Sequence, residues 1–153
     1  MALYLVQHGK SVSKEVDPHK GLSEEGIEEV RTIAGVAAHY GVKVSRIVHS
    51  GKRRASQTAE IFGEALLPDK GIEVIEGINP LDDPAVFGAA TAVDENLMIV
   101  GHLPFLERLI AFLVADRTDP PVFRLQNGGI VCLDDYPGTS RIVIRWALMP
   151  HIG

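Results

Sequence analysis

The chain has 153 residues, 46% hydrophobic and 23% charged, with a net charge of −5 and one cysteine. That length suits a single domain, residues 1–153, whose core needs no metal or disulfide staple, and the mix is that of neither a disordered chain nor a membrane protein. The negative charge speaks against a general nucleic-acid binder, and Cys132, alone in an apolar stretch, reads as a core residue.

The N-terminus has no basic region or small-residue cleavage site, and the longest apolar run, residues 110–115, is too short to cross a bilayer. The expectation is therefore a cytoplasmic protein with no membrane partner. Residues 2–7 form a near-continuous apolar run that stops at His8-Gly9, the pattern of a central strand buried on both faces. After a loop holding Asp17-Pro18 and Gly21, Ser23 caps a helix with Glu24 and Glu25 in its first turn. Ile27, Val30, Ala34, Ala37 and Ala38 follow at roughly helical spacing, and Gly41 ends it.

The unit repeats, with a strand predicted over 44–49 and a helix over 54–66 that carries Ala55, Ala59, Phe62 and Leu66 on one face and is closed by Pro68. Residues 72–75 read as a short strand, and Asp83-Pro84 opens a helix predicted to reach about Val93. A further buried strand over 97–100 leads to Gly101-His102, and Pro104 opens an apolar helix over 105–115. The last third changes character: 122–125, 130–134 and 141–148 read as strands, separated by Asn127-Gly128-Gly129 and Pro137-Gly138 turns. The predicted fold is α/β and three-layered, a mostly parallel central sheet with helices on both faces and a mixed or antiparallel edge.

In such sheets ligands gather beyond the carboxyl ends of the strands. His8 and His102 both sit there, each beside a glycine, and the segment from His49 through Lys52, Arg53 and Arg54 puts a basic cluster at a third strand-to-helix junction. Two histidines and arginines at coincident strand ends point to an anion pocket.

Three pieces of the chain resemble the signatures of the histidine phosphatase superfamily (phosphoglycerate mutase-like), and within it the small SixA-type phosphohistidine phosphatases. They are Leu5-Val6-Gln7-His8-Gly9, the stretch Ser50 through Arg54-Ala55-Ser56-Gln57-Thr58-Ala59, and Val100-Gly101-His102-Leu103-Pro104. The resemblance implies a phosphatase in which His8 attacks phosphorus to form a phosphohistidine intermediate that water hydrolyses, with His102 and Arg54 holding the phosphoryl oxygens. Gln7 and Gly9 would complete the phosphate site. It implies no metal and no cofactor, in keeping with the lack of a His-Glu-x-x-His motif. The partner would be a phosphorylated protein or a small phosphorylated molecule, with inorganic phosphate or sulfate able to occupy the pocket.

One position departs from the family pattern. Gln7 stands where the family has arginine, replacing a charged planar fork by a neutral amide. Lys10 is the preferred candidate for restoring the charge, with Arg53 and Lys52 as others; alternatively the pocket binds phosphate or a phosphoprotein without turnover. Asp82, in the loop 79–84, is the candidate general acid, while Asp83 reads as a helix cap. A phosphoramidate can be protonated on its own leaving nitrogen and needs such an acid less than an ester does. The chain also has little length for a lid, so an open site for a phosphorylated side chain is favoured over a small-molecule phosphomonoesterase.

Overall fold

The computed structural model describes residues 2–90 and 95–152. Six strands and four helices alternate as β1 (Ala2–Gln7), α1 (Glu24–His39), β2 (Arg46–His49), α2 (Arg53–Leu66), β3 (Ile72–Val74), α3 (Pro84–Ala90), β4 (Leu97–Gly101), α4 (Phe105–Ala115), β5 (Ile130–Asp135) and β6 (Ile142–Leu148). They form one sheet in the order β3-β2-β4-β1-β5-β6. The first four positions run parallel, and β5 and β6 add an antiparallel edge. This is the predicted three-layer α/β arrangement.

β1 and β4 are central and buried along their whole length, which is why both lack polar alternation. On one face Tyr4 and Val6 pack with Val30, Ile33 and Ala34 of α1 and Ala55, Ala59 and Phe62 of α2. On the other, Leu3 and Leu5 pack with Phe105, Leu106, Leu109 and Ile110 of α4, with Phe87 of α3 at the margin. Cys132 is buried and free in β5, opposite Tyr4.

Local signals act as their chemistry dictates. The Ser23 hydroxyl accepts the Gly26 N–H at 3.0 Å, and the N-terminus of α1 is pressed so close to the loop after β1 that a Cβ at Gly26 would lie 2.2 Å from the Lys10 carbonyl oxygen. Asp83 Oδ1 accepts the Ala85 N–H at 2.9 Å and starts α3; the predicted reach of that helix to Val93 falls outside the described residues.

Two expectations change. The strand predicted from residue 44 begins at Arg46. The strand predicted over 122–125 does not form, because the Leu125 N–H is taken by the Glu107 carboxylate of α4 at 2.8 Å, while the Leu125 side chain enters the core on that face. A loop laid across a core hides alternate residues as a strand does, so the pattern alone misleads there.

The register positions the chemistry. Gln7 pairs with Gly101 across β1 and β4, and His49 with Val100 across β2 and β4, so the three strands end level. The next residues, His8, His102 and Ser50, leave the sheet side by side.

Candidate active site

His8 is held from its backbone outward. Its N–H donates to the Gly101 carbonyl at 3.0 Å, and its own carbonyl accepts from Asn127 Nδ2 at 3.0 Å and from the Gly128 N–H at 3.3 Å. The ring is fixed at both nitrogens. Nδ1 lies 2.7 Å from the Gly9 carbonyl oxygen, which can only accept, so Nδ1 carries the proton. Nε2 therefore keeps its lone pair, and Arg54 Nε donates to it at 3.3 Å.

Arg54 reaches His8 because α2 is tied to the loop after β1. The buried Thr58 hydroxyl accepts the Gly9 N–H at 3.0 Å and donates to the Arg54 carbonyl at 2.8 Å, one helical turn back. A Cβ at Gly9 would lie 2.8 Å from Val30, so the backbone can pass there only as glycine.

His102 completes the group. Its ring lies 5.1 Å from that of His8, centre to centre, and it is 1% exposed. Nε2 meets the Ser50 hydroxyl at 2.5 Å, while Nδ1 is buried with no partner among the described residues. Gln7, also buried, ends β1 beside them with its Oε1 likewise unpartnered.

Both histidines are neutral at pH 7. Burial pushes His8 down to about 4, with the Arg54 and Lys20 charges adding to the effect against the opposing Gly9 hydrogen bond. Burial pushes His102 down to about 3, helped by His8, Arg54 and Lys52. Burial also lowers Arg54, from a starting point so high that it stays charged.

A histidine depressed in the folded state binds fewer protons there than when unfolded, so stability is full above the unfolded value near 6.5 and is lost as pH falls towards the folded values. For the buried His102 alone this is worth about 3 kcal/mol between pH 7 and pH 4. Denaturant unfolding at the two pH values should show that loss in the native chain and a shallower one in His102→Asn.

Of the residues singled out from sequence, His8, His102 and Arg54 come together, and Gln7 precedes His8 at the end of β1, paired with Gly101 of β4. Gly9 is adjacent, with its N–H donated to the Thr58 hydroxyl. Lys10 does not join them: its ammonium pairs with Glu25 at 2.8 Å and Glu29 at 3.7 Å on α1, and Glu29 also holds His151. The charge expected from Lys10 is thus spent on tying α1 to the loop after β1. Asp82 also stands elsewhere, accepting the Asn79 N–H at 2.8 Å to close a turn and lining, with Asp83, Val86 and Phe87, a hollow beside α3. Lys52 and Arg53 line a groove next to Arg54.

Ser50, Thr58 and Asn127 were not singled out individually. The four-residue spacing from Arg54 to Thr58 within one helix is a signal that could have found Thr58. Asn127 stands in the turn that leads into β5, the strand beside β1, and from sequence reads only as part of that turn.

The His8 imidazole with its Nε2 lone pair, the His102 imidazole and the Arg54 guanidinium from α2 meet beyond the ends of parallel strands, an arrangement on an α/β scaffold that can receive a phosphoryl group. A profile of the histidine phosphatase superfamily (branch 1) matches residues 3–79, and the chain belongs to that superfamily. It is 26% identical to the phosphohistidine phosphatase SixA of Escherichia coli (strain K12), over 98% of this chain and 94% of that protein. The fold is similar to that of the protein histidine phosphatase SixA complexed with tungstate (TM-score 0.80, 23% identity, 98% of this chain and 97% of the other). It is also similar to a SixA-like protein from Agrobacterium tumefaciens (0.76, 24%, 97% of each) and to an α-ribazole-5′-phosphate phosphatase-like protein from Escherichia coli (0.74, 20%, 100% and 99%). The chain is a phosphatase, a hydrolase of phosphorylated substrates. Among the described residues no helix is long and apolar enough to cross a membrane.

Proposed function

We propose that the chain removes the phosphoryl group from phosphohistidine on another protein, in the cytoplasm, by way of His8. The observation that carries this is the state of the His8 ring: Nδ1–H anchored on Gly9, Nε2 unprotonated and next to Arg54. In the first step Nε2 bonds to phosphorus and the substrate's P–N bond breaks, the pair of electrons leaving with an imidazole nitrogen that is protonated on departure. In the second, water attacks the phosphorus of phospho-His8, the Nε2–P bond breaks, and inorganic phosphate leaves with His8 restored.

Arg54 and His102 bind the equatorial oxygens, where charge is spread in a loose transition state and positioned donors contribute most. On arrival of the phosphoryl group the Arg54 Nε–H exchanges His8 for an oxygen and frees the lone pair, and His102 Nε2–H exchanges the Ser50 hydroxyl for another oxygen.

The leaving group separates substrate classes. An ester oxygen needs an acid in place, whereas a phosphoramidate nitrogen is readily protonated from solvent. Asp82, the acid considered from sequence, is engaged in its own turn. The relative named as a phosphohistidine phosphatase agrees with this preference.

Release of phosphate from a histidine-phosphorylated protein, with p-nitrophenyl phosphate run alongside, tests the reading. The expected result is a kcat/KM about tenfold or more higher on the phosphohistidine protein. A preference for the ester would make the chain a small-molecule phosphomonoesterase, and phosphate binding with no turnover of either would make it a binding module.

A further inference from the structure

Beside His8 a groove of about 620 Å³ runs between two walls. The loop after β1 supplies Lys14, His19 and Lys20, and the start of α2 supplies Lys52, Arg53 and Arg54. Five of the chain's 15 lysines and arginines therefore face one concavity, on a protein whose net charge is −5.

These cations are not used to hold the fold. Among the described residues Lys10, Arg46, Arg108 and Arg145 each form an ion pair with a carboxylate, whereas Lys14, Lys20, Lys52 and Arg53 form none. The nearby acid is Asp17, and its two oxygens accept the backbone N–H groups of His19 and Gly21 at 3.0 and 2.9 Å. Collecting like charges costs self-repulsion, and the Asp17 carboxylate, whose field reaches Arg53 and His19, offsets only part of it.

The groove opens directly onto the reacting centre. Arg54 belongs both to its wall and to the contact with His8, and the fields of Lys20 and Lys52 reach the His8 and His102 rings. A ligand in the groove is therefore continuous with a phosphoryl group on His8.

Building on a protein phosphohistidine substrate, we propose that this groove is a docking surface for acidic side chains flanking the phosphorylated histidine, so that the enzyme selects phosphohistidine in an acidic surface. The character of the cations favours several carboxylates over a second phosphate. Three are lysines on long free stems, spread over two walls, which suits a dispersed acidic surface; one compact phosphate would call for convergent, fixed donors such as a paired arginine fork. Attraction of this kind acts on encounter and binding and is weakened by salt.

The test compares two synthetic phosphohistidine peptides, one flanked by Glu and Asp and one by Ser and Gly. At low salt the acidic peptide should show a kcat/KM higher by about tenfold or more, carried by KM, and the advantage should collapse at high salt. It should also collapse in the double variant Lys14→Glu/Arg53→Glu, one residue from each wall, with turnover of p-nitrophenyl phosphate unchanged. Equal rates on the two peptides in the native chain overturn the proposal and leave the phosphohistidine reading standing. Should neither peptide be hydrolysed, that reading fails; binding of the acidic peptide, lost in the double variant, then supports the groove and no binding overturns it. An advantage for a small bisphosphate in place of the acidic peptide overturns it as well.

Discussion

His8→Ala should abolish turnover, lowering kcat by about 10⁴-fold or more, in the range seen when a covalent nucleophile is deleted from a preorganised site. Alanine leaves no lone pair at the position of Nε2, and among the described residues no other group stands there: His102 Nε2 is engaged with Ser50 and its Nδ1 is buried. The backbone bonds of residue 8 to Gly101, Asn127 and Gly128 do not involve the ring and should survive the change. The variant should therefore fold and still bind inorganic phosphate through Arg54 and His102. The direct readout is acid-labile phosphate on the protein during turnover of a labelled substrate, present in the native chain and absent from His8→Ala. A variant that kept its activity, or its label, would remove His8 from the role of nucleophile.

Arg54→Ala should lower kcat/KM by about 10²- to 10³-fold, as when one charged transition-state donor is removed from a water-poor site. The effect is concentrated on Arg54 because its neighbours contribute less charge than the family pattern would suggest. Gln7 is a neutral amide, and the ammonium of Lys10 is turned to Glu25 and Glu29. Arg54→Lys should recover only a minor part, since an ammonium keeps the charge but has neither the Nε–H that meets His8 nor a planar fork for two oxygens. Inhibition by inorganic phosphate should weaken in step with the loss of activity. Thermal unfolding should change little, because Arg54 is only half-buried and its side chain makes no ion pair among the described residues. A loss of stability matching the loss of rate would instead make Arg54 a structural residue.

Much of the scaffold could be read along the chain. The runs at residues 2–7 and 97–100 are apolar without alternation because both faces of those strands are covered, and the cap at Ser23 and the stop at Gly41 act within a few residues of where they stand. Residues 122–125 were misread because a segment packed over α4 buries alternate side chains without joining a ladder; the acceptor that decides the matter, Glu107, lies on a distant helix. In the site, the histidines and Arg54 were legible because strand ends in a parallel sheet converge by topology. Lys10 and Asp82 were not, since a flexible charged side chain goes to whichever opposite charge or open N–H the fold presents, and no local pattern carries that information.

The amino-acid sequence by itself determined the alternation of strands and helices, the covered central strands and the placing of His8, Ser50 and His102 just beyond strand ends, because these depend on periodicity and on short-range capping. Only the tertiary structure decided the state of the site. The proton on His8 Nδ1 follows from the approach of the Gly9 carbonyl, the reach of Arg54 from the Thr58 tie between α2 and the loop after β1, and the neutrality of both rings from burial. The basic groove is of the same kind. Lys14 and Lys20 lie more than thirty residues from Lys52 and Arg53 along the chain, and it is the packing of their two segments around the start of α2 that gives them one face.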